Sequence, residues 1–341
     1  MLNGMRIFQR MPRHGVEMGE RLRRILTERQ GRFVSGEEIA GSLGVTRAAV
    51  WKGIRTLRGA GYAIEGARGA GYRMTDRPDR IDEGELREAL RPGLPWTDVV
   101  CLAVTDSTNR VAMEMAENGA PHGTVVVADE QTAGRGRMGR RWESPPGKNL
   151  YVSLLLRPPV PTVEAPRLSL VAGVALADAV EEMGVSPSLK WPNDLYLGER
   201  KAAGILAEMA SDPDGVRHVV IGVGLNVNME EADFPPVLRG GATSLRIRAG
   251  RTFRRVDVLA RMLDAFGTRY GEFLEGGFHA LHPGWDRRDF LRGMRVLVRV
   301  RGADAWGVAY GVDPEGALRF RRDGGAVEER LHSGEIVAFR R

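Results

Sequence analysis

Three glycines and four arginines fall within the eight residues from Gly134 to Arg141, and an apolar run flanks them on each side. Before them, Thr124 to Ala128 reads as a buried strand, and after them Asn149 to Leu156 reads as a second. The whole stretch, Gln131 to Trp142, is therefore a basic, glycine-rich loop set between two core strands. Glycine allows backbone N–H groups to approach a ligand closely. Arginine presents a rigid fork of donors that suits carboxylate and phosphate. Such a loop is suited to closing over an anion. Taken alone it fits a flexible basic turn at a nucleic acid equally well, and the choice depends on the rest of the chain.

With 341 residues and 43% apolar content, the chain has the length of two or three globular domains. Its one cysteine, Cys101, excludes an intramolecular disulfide and a cysteine zinc site, which favours a reducing cytoplasm. No apolar run approaches the ~18 residues a membrane span needs, so no membrane role is expected. Residues 1–16 carry arginines without an apolar core, and we expect a disordered basic arm there. The net charge of +6 is uneven: residues 1–77 hold 15 Lys/Arg against 7 Asp/Glu, and the remainder 35 against 37. Any polyanionic partner is therefore expected at the N-terminal part.

That part reads as a winged helix-turn-helix over residues 17–77. Met18, Leu22, Ile25 and Leu26 recur at helical spacing. Ser35 with Glu38 predicts a capping box for a second helix, Gly44 its end, and Thr46 the cap of a third. In the third helix Val50, Ile54 and Leu57 face inward, leaving Arg47, Trp51, Lys52, Arg55 and Arg58 outside. Two short strands around Gly66 to Gly71 form a wing with Arg68 at its tip. The predicted DNA-binding residues are Arg47, Lys52, Arg55 and Arg68, with phosphate or minor groove for the last. A protein-binding module with solvated charges is the competing reading. Residues 78–96 look like a linker, with a helix possible near Arg80 to Leu90.

Further along, Asp106-Ser107-Thr108-Asn109 opens a helix, and capping alone would account for Ser107 and Thr108. Pro166 to Met183 is an apolar helix that reads as core. Lys190-Trp191-Pro192-Asn193-Asp194 is a short strand stopped by proline and a turn. Arg200 to Glu208 begins a strand with Lys201 at its mouth, and Val219 to Asn228 is a strand with alternating glycines that admit a close approach. From Arg292 onward, short strands with glycine-rich turns suggest a small barrel.

These pieces, in this order, resemble the biotin–protein ligases. The residues that carry the resemblance are Asp106-Ser107-Thr108-Asn109, Gln131 with the Gly/Arg loop to Trp142, Lys190 to Asp194, Lys201 to Glu208, and Gly222-x-Gly224-x-Asn226. The N-terminal part is similar to that of two-function members, which also repress the biotin operon, and residues 292–339 to their SH3-like barrel. The resemblance implies an α+β multidomain chain. It comprises a winged helix-turn-helix, a central mixed α/β ligase domain of the class II synthetase-like type over residues 97–290, and an SH3-like barrel over 291–341.

It also implies an activity. Biotin and ATP condense to biotinyl-5′-AMP and pyrophosphate, and the biotinyl group then passes to a lysine of a biotin carboxyl carrier domain. A carboxylate must meet an α-phosphate, and two anions approaching one another need cations around them. The resemblance places Arg135, Arg137 and Lys201 there, with Gly136 in the loop backbone and Arg140 nearer the pyrophosphate. It gives Ser107, Thr108, Asn109 and Gln131 to biotin's ureido ring. Asp194 is assigned to Mg²⁺ or to ordering Lys201, and Asn226 and Trp285 to the adenylate, with Trp285 stacking on adenine. The partners implied are the acceptor domain, operator DNA, and a second copy of the chain when adenylate is bound. Two rivals are an octanoyl- or lipoate-transferring enzyme, disfavoured by the loop with Lys190 to Asp194, and a sensor without turnover, disfavoured by the intact Lys201 and loop arginines.

Overall fold

The computed structural model describes residues 13–340 and divides them into two compact units that meet at Arg80 and Ile81. The predicted basic arm lies, for residues 1–12, outside the described range. In the first unit, helix α1 (Arg13–Glu28) precedes α2 (Gly36–Leu43) and α3 (Arg47–Gly59). Ser35 caps α2 by accepting from Glu38 N at 3.0 Å, while the Glu38 carboxylate pairs with Arg29, so half of the expected capping box forms. Gly44 ends α2 in the left-handed region at φ 67°, and Thr46 caps α3. Leu22, Leu26, Ile39, Val50 and Ile54 close one apolar core between the helices. An antiparallel hairpin, β1 (Ala63–Ala67) and β2 (Gly71–Asp76), adds Ile64 and Met74 to it.

The second unit begins inside the stretch expected to be a linker. Helix α4 (Glu83–Ala89) buries Leu86 completely in the main core, and Glu85 pairs with Arg254. Residues 81–96 thus belong to the ligase-like unit, because an apolar side chain at helical spacing found a partner surface there. Then follow β3 (Val99–Thr105), α5 (Thr108–Glu117), β4 (Thr124–Gln131), β5 (Leu150–Leu156), α6 (Leu168–Glu182), β6 (Ser188–Lys190), β7 (Asp194–Leu197), β8 (Arg200–Asp212), β9 (Gly215–Leu225), α7 (Leu245–Ala249) and α8 (Arg255–Asp286). The seven strands form one sheet in the order β3-β4-β5-β9-β8-β7-β6. Only β3 and β4 run parallel.

Alternation along the strands sorts the two faces. Leu102, Val126, Leu155 and Val220 pack with Val111, Ala112 and Ala116 of α5. Val125, Val127, Leu154 and Ile221 face the other way, into the larger core filled by α6 and α8. The remaining strands, β10 (Arg295–Val300), β11 (Ala303–Val312), β12 (Leu318–Arg322), β13 (Glu329–Leu331) and β14 (Glu335–Arg340), make a five-stranded antiparallel sheet where the small barrel was expected. Val296, Val298, Phe320 and Ile336 share the large core with Trp191 and Phe290, so this sheet is continuous with the ligase-like unit. Trp191 Nε1 donates to Gly316 O at 3.2 Å across that junction. No helix among the described residues is long and apolar enough to cross a membrane.

Candidate active site

A cavity of about 340 Å³ opens where the N-terminal end of α5, the end of β4, the first half of β8 and the end of β9 converge beneath the Gly/Arg loop. Its floor is bare. A Cβ on Gly222 would sit 2.1 Å from Asn109 Oδ1, and one on Gly224 would sit 2.5 Å from the Trp142 ring. The alternating glycines of β9 are therefore required by close approach, with an amide over one and an indole over the other.

One end of the cavity is a buried hydroxyl–amide network. Ser107, Thr108 and Asn109 are each buried. Gln131 Oε1 accepts from Thr108 N at 2.9 Å and from Thr108 Oγ1 at 3.1 Å, and Gln131 Nε2 donates to Ser144 Oγ at 3.1 Å. Asn109 Nδ2 donates to Glu208 Oε2 at 2.7 Å and to Leu206 O at 3.3 Å. Ser153 Oγ lies 2.6 Å from Asn109 Oδ1 and 2.8 Å from Thr108 Oγ1. These contacts spend both amide hydrogens of Asn109 on the protein and one of the two on Gln131, which also lines the cavity. Ser107 stands at the N-cap of α5, yet its hydroxyl makes no cap hydrogen bond. Capping does not explain Ser107, which lines the cavity.

The other end is charged. Lys201 Nζ lies 2.6 Å from Asp194 Oδ1 and 5.6 Å from the centre of the Trp142 ring. Of the two roles expected for Asp194, ordering Lys201 is the one this contact displays. Above them the loop is a narrow ribbon: Gly136 N donates to Arg140 O at 2.7 Å and Trp142 N to Gly134 O at 2.9 Å. Met138 turns it at φ 55°, in the left-handed region. Arg135 approaches Glu208 Oε1 at 3.7 Å. Arg137 donates to Asn193 Oδ1 at 3.3 Å and to Gly334 O at 3.2 Å, and Arg140 pairs with Glu335 at 2.8 Å. Burial pulls the Arg137 guanidinium below its ordinary pKa, and the nearby Asp194 charge opposes that shift. Arginine nevertheless stays charged in proteins. No group of three or more His, Cys, Asp or Glu among the described residues could hold a metal on its own.

Two expected site residues are placed differently. Trp285 is absent from the cavity wall: it is buried on the inner face of α8, edge-on to Phe278 at 6.4 Å and against Gly173 of α6. Helical spacing from Phe278 and Leu281 makes it a core residue, so it does not stack on a ligand in this cavity. Asn226 lines the cavity, but its Nδ2 donates to Thr243 O at 3.0 Å and its Oδ1 accepts from Asn149 at 3.4 Å. Its side chain thereby holds the segment after β9 in place. Sequence reasoning assigned no role to Trp142, Tyr196, Phe234, Val237 or Leu238, all of which line the cavity. The glycines at 204, 222 and 224 were the available signal for a flat ring lying over the sheet. Phe234 to Leu238, a short apolar run around two prolines, was the signal for a second wall.

In the first unit Arg47, Lys52 and Arg55 are exposed on α3, and Arg68 is exposed at the turn of the hairpin. Trp51, 54% exposed, carries the Arg55 guanidinium 5.7 Å from its ring centre, on the same helical face as Arg47.

Fold and cavity together define a ligase-type domain joined to a helix-turn-helix. Residues 101–226 match the model of the biotin/lipoate A/B protein ligase family, and residues 20–73 match a helix-turn-helix domain. The bifunctional ligase/repressor BirA of Bacillus subtilis is 39% identical over 89% of this chain and 93% of its own length. The Escherichia coli protein of the same name is 32% identical over 86% and 90%. The biotin protein ligase of Aquifex aeolicus, solved with biotin and ATP, superposes with a TM-score of 0.62 at 30% identity, covering 72% of this chain and all of that one. The chain belongs to the biotin protein ligase family, in its two-function form that carries a helix-turn-helix domain.

Proposed function

We propose that the protein is an ATP-dependent biotin–protein ligase and a biotin-responsive transcriptional repressor, acting in the cytoplasm. The observation that carries the ligase reading is the polarity of one cavity. An uncharged hydrogen-bonding end holds Ser107 and Gln131, a charged end holds Lys201, which Asp194 pairs with from behind, and the arginine loop covers both. Biotin fits that polarity, with its ureido ring at the first end and its carboxylate at the second.

In the first half-reaction a carboxylate oxygen of biotin attacks the α-phosphorus of ATP. The bond from that phosphorus to the bridging oxygen of the β-phosphate breaks, and pyrophosphate leaves. Lys201, Arg135 and Arg137 offset the charge that builds up as the two anions meet. Arg140, farther out beside Glu335, faces the departing side. Bound with the nucleotide, magnesium would spread the charge of the triphosphate; Asp194, which here orders Lys201 from behind the cavity wall, is the carboxylate that would also hold it. In the second half-reaction the neutral amine of an acceptor lysine attacks the biotinyl carbonyl and expels AMP, so no residue of this chain acts as a covalent nucleophile. The ribbon of residues 134–142 shields the mixed anhydride from water until then.

The repressor function uses Arg47, Lys52, Arg55 and Arg68 on operator DNA. Adenylate binding orders the Gly/Arg loop and lowers the cost of pairing two copies, with β3, the edge strand of the large sheet, available for that pairing. One assay tests the enzyme: pyrophosphate release and acceptor labelling with biotin and ATP. Octanoate or lipoate supporting transfer in place of biotin, or biotin binding without pyrophosphate release, would refute it. A second tests the switch: operator binding and sedimentation at fixed salt, with and without biotin plus ATP. Equal affinity and equal mass in both conditions would leave the DNA-binding unit unregulated by this ligand.

A further inference from the structure

Ser153 is completely buried, a hydroxyl set in the apolar run of β5, and Glu208 sits two strands away on β8. Register places Ser153 beside Gly222 and Glu208 beside Val220 on the intervening β9, on the face that packs against α5. Neither side chain lines the cavity, yet both bond to Asn109, which does.

These bonds have a direction. Asn109 Nδ2 lies 2.7 Å from Glu208 Oε2 and 3.3 Å from Leu206 O, and a carboxylate and a carbonyl accept without donating. The amide is thereby fixed with Oδ1 toward Ser153, whose hydroxyl donates to it at 2.6 Å. A hydroxyl has one proton to give. The 2.8 Å contact between Ser153 and Thr108 is then left to the Thr108 proton, whose other acceptor is Gln131 Oε1 at 3.1 Å. That Gln131 atom is fixed as the oxygen, because Thr108 N donates to it at 2.9 Å. Whichever neighbour takes it, the Thr108 proton stays within the protein. What the Thr108 hydroxyl has left to offer the cavity is its lone pairs.

We infer that Glu208 and Ser153 are specificity-determining positioning residues. Acting through Asn109, they commit the Thr108 proton to the protein and make the uncharged end of the cavity an acceptor for a ligand N–H. The inference rests on the ligase reading and deepens it. Biotin's ureido ring supplies such an N–H, whereas octanoyl and lipoyl chains supply none and would leave a buried oxygen without its donor. A packing role for Glu208 and Ser153 would weaken all ligands of one shape alike. A role in setting hydrogen-bond direction separates ligands by their N–H groups.

The test measures binding to full-length protein by calorimetry, with biotin and with two cyclic carbamate analogues in which one or the other ureido N–H is replaced by oxygen. Wild type should prefer biotin over at least one analogue by about tenfold or more. In Ser153→Ala, Thr108 loses its closest acceptor and its proton can turn to the analogue's oxygen. In Glu208→Leu, which alters a partly exposed side chain, Asn109 can turn over and reverse the chain of donors. In both variants the preference should fall to about threefold or less. Glu208→Gln, whose side-chain carbonyl can still accept from Asn109, should keep most of it. A preference under threefold in wild type overturns the assignment. So does a wild-type preference retained in Ser153→Ala and Glu208→Leu, even where affinity for biotin and analogues drops together; that pattern would make both packing residues. Wild-type protein that binds no biotin would instead overturn the ligase reading, and the role of Glu208 and Ser153 with it.

Discussion

Removing Lys201 should do more than delete one cation. Its Nζ is 2.6 Å from Asp194 Oδ1, and the two side chains are 33% and 15% exposed. Lys201→Ala therefore leaves a carboxylate facing the incoming phosphate. Loss of the charge-assisted contact costs about 2–4 kcal/mol. An orphaned carboxylate about 6 Å from a phosphate adds roughly 2–3 kcal/mol at an effective dielectric near 20, and about half of that after solvent screening. The sum is roughly 3–5 kcal/mol, so adenylate formation should slow by about two to three and a half orders of magnitude. Single-turnover pyrophosphate release with biotin and ATP measures it, and thermal unfolding should shift little, because a partly exposed pair adds little stability. Adding Asp194→Asn to Lys201→Ala removes the orphaned charge and should restore about tenfold of the lost rate. Near-wild-type release by Lys201→Ala would end the assignment. A double mutant slower than the single would refute the charge-pair argument and assign Asp194 to magnesium.

Three further substitutions probe other parts of the site. Arg137→Gly removes the contacts to Asn193 and Gly334, so the loop should release adenylate early; the variant should consume biotin and ATP yet label bystander lysines, and labelling confined to the acceptor lysine would contradict the lid. Gly222→Ala drives a methyl into Asn109, which is held by Glu208, Leu206 and Ser153; loss of about two hydrogen bonds at about 1 kcal/mol each should weaken biotin binding at least about tenfold by calorimetry, and unchanged binding would show that Asn109 is free to move. Trp285→Phe should cost roughly 1–2 kcal/mol of stability in denaturant titration and leave the KM for ATP within about twofold; a large rise in KM without loss of stability would return Trp285 to the nucleotide site.

Elements whose determinants are local were legible in the sequence. Ser35, Gly44 and Thr46 end or start helices by contacts within four residues, and the strands around the Gly/Arg loop declare themselves by apolar runs. Helix α4 was only half legible, because its short sequence does not reveal that Leu86 reaches the large core or that Glu85 meets Arg254. The junction of the C-terminal sheet with the ligase-like unit was not legible, since Trp191 and Gly316 meet 125 residues apart. Nothing in either segment's periodicity identifies its partner.

The site divides along the same line. Motif order gathers Ser107, Gln131, Lys201 and the loop arginines around one cavity, but order cannot separate a residue that faces the ligand from one that holds its neighbour. Asn109 and Asn226 spend their polar atoms on the protein, and Trp285 spends its ring on α6. The ring over Lys201 is that of Trp142, which lies flat only because Gly204 and Gly224 lack side chains. The same reasoning explains how so glycine-rich a loop is held. Each glycine raises the entropy cost of fixing the loop, and the ribbon's own three backbone bonds offset little of it. Arg137 and Arg140 add anchors on Asn193, Gly334 and Glu335, two of which lie on the C-terminal sheet about two hundred residues away in the chain. Shape over the reacting atoms therefore depends on that sheet.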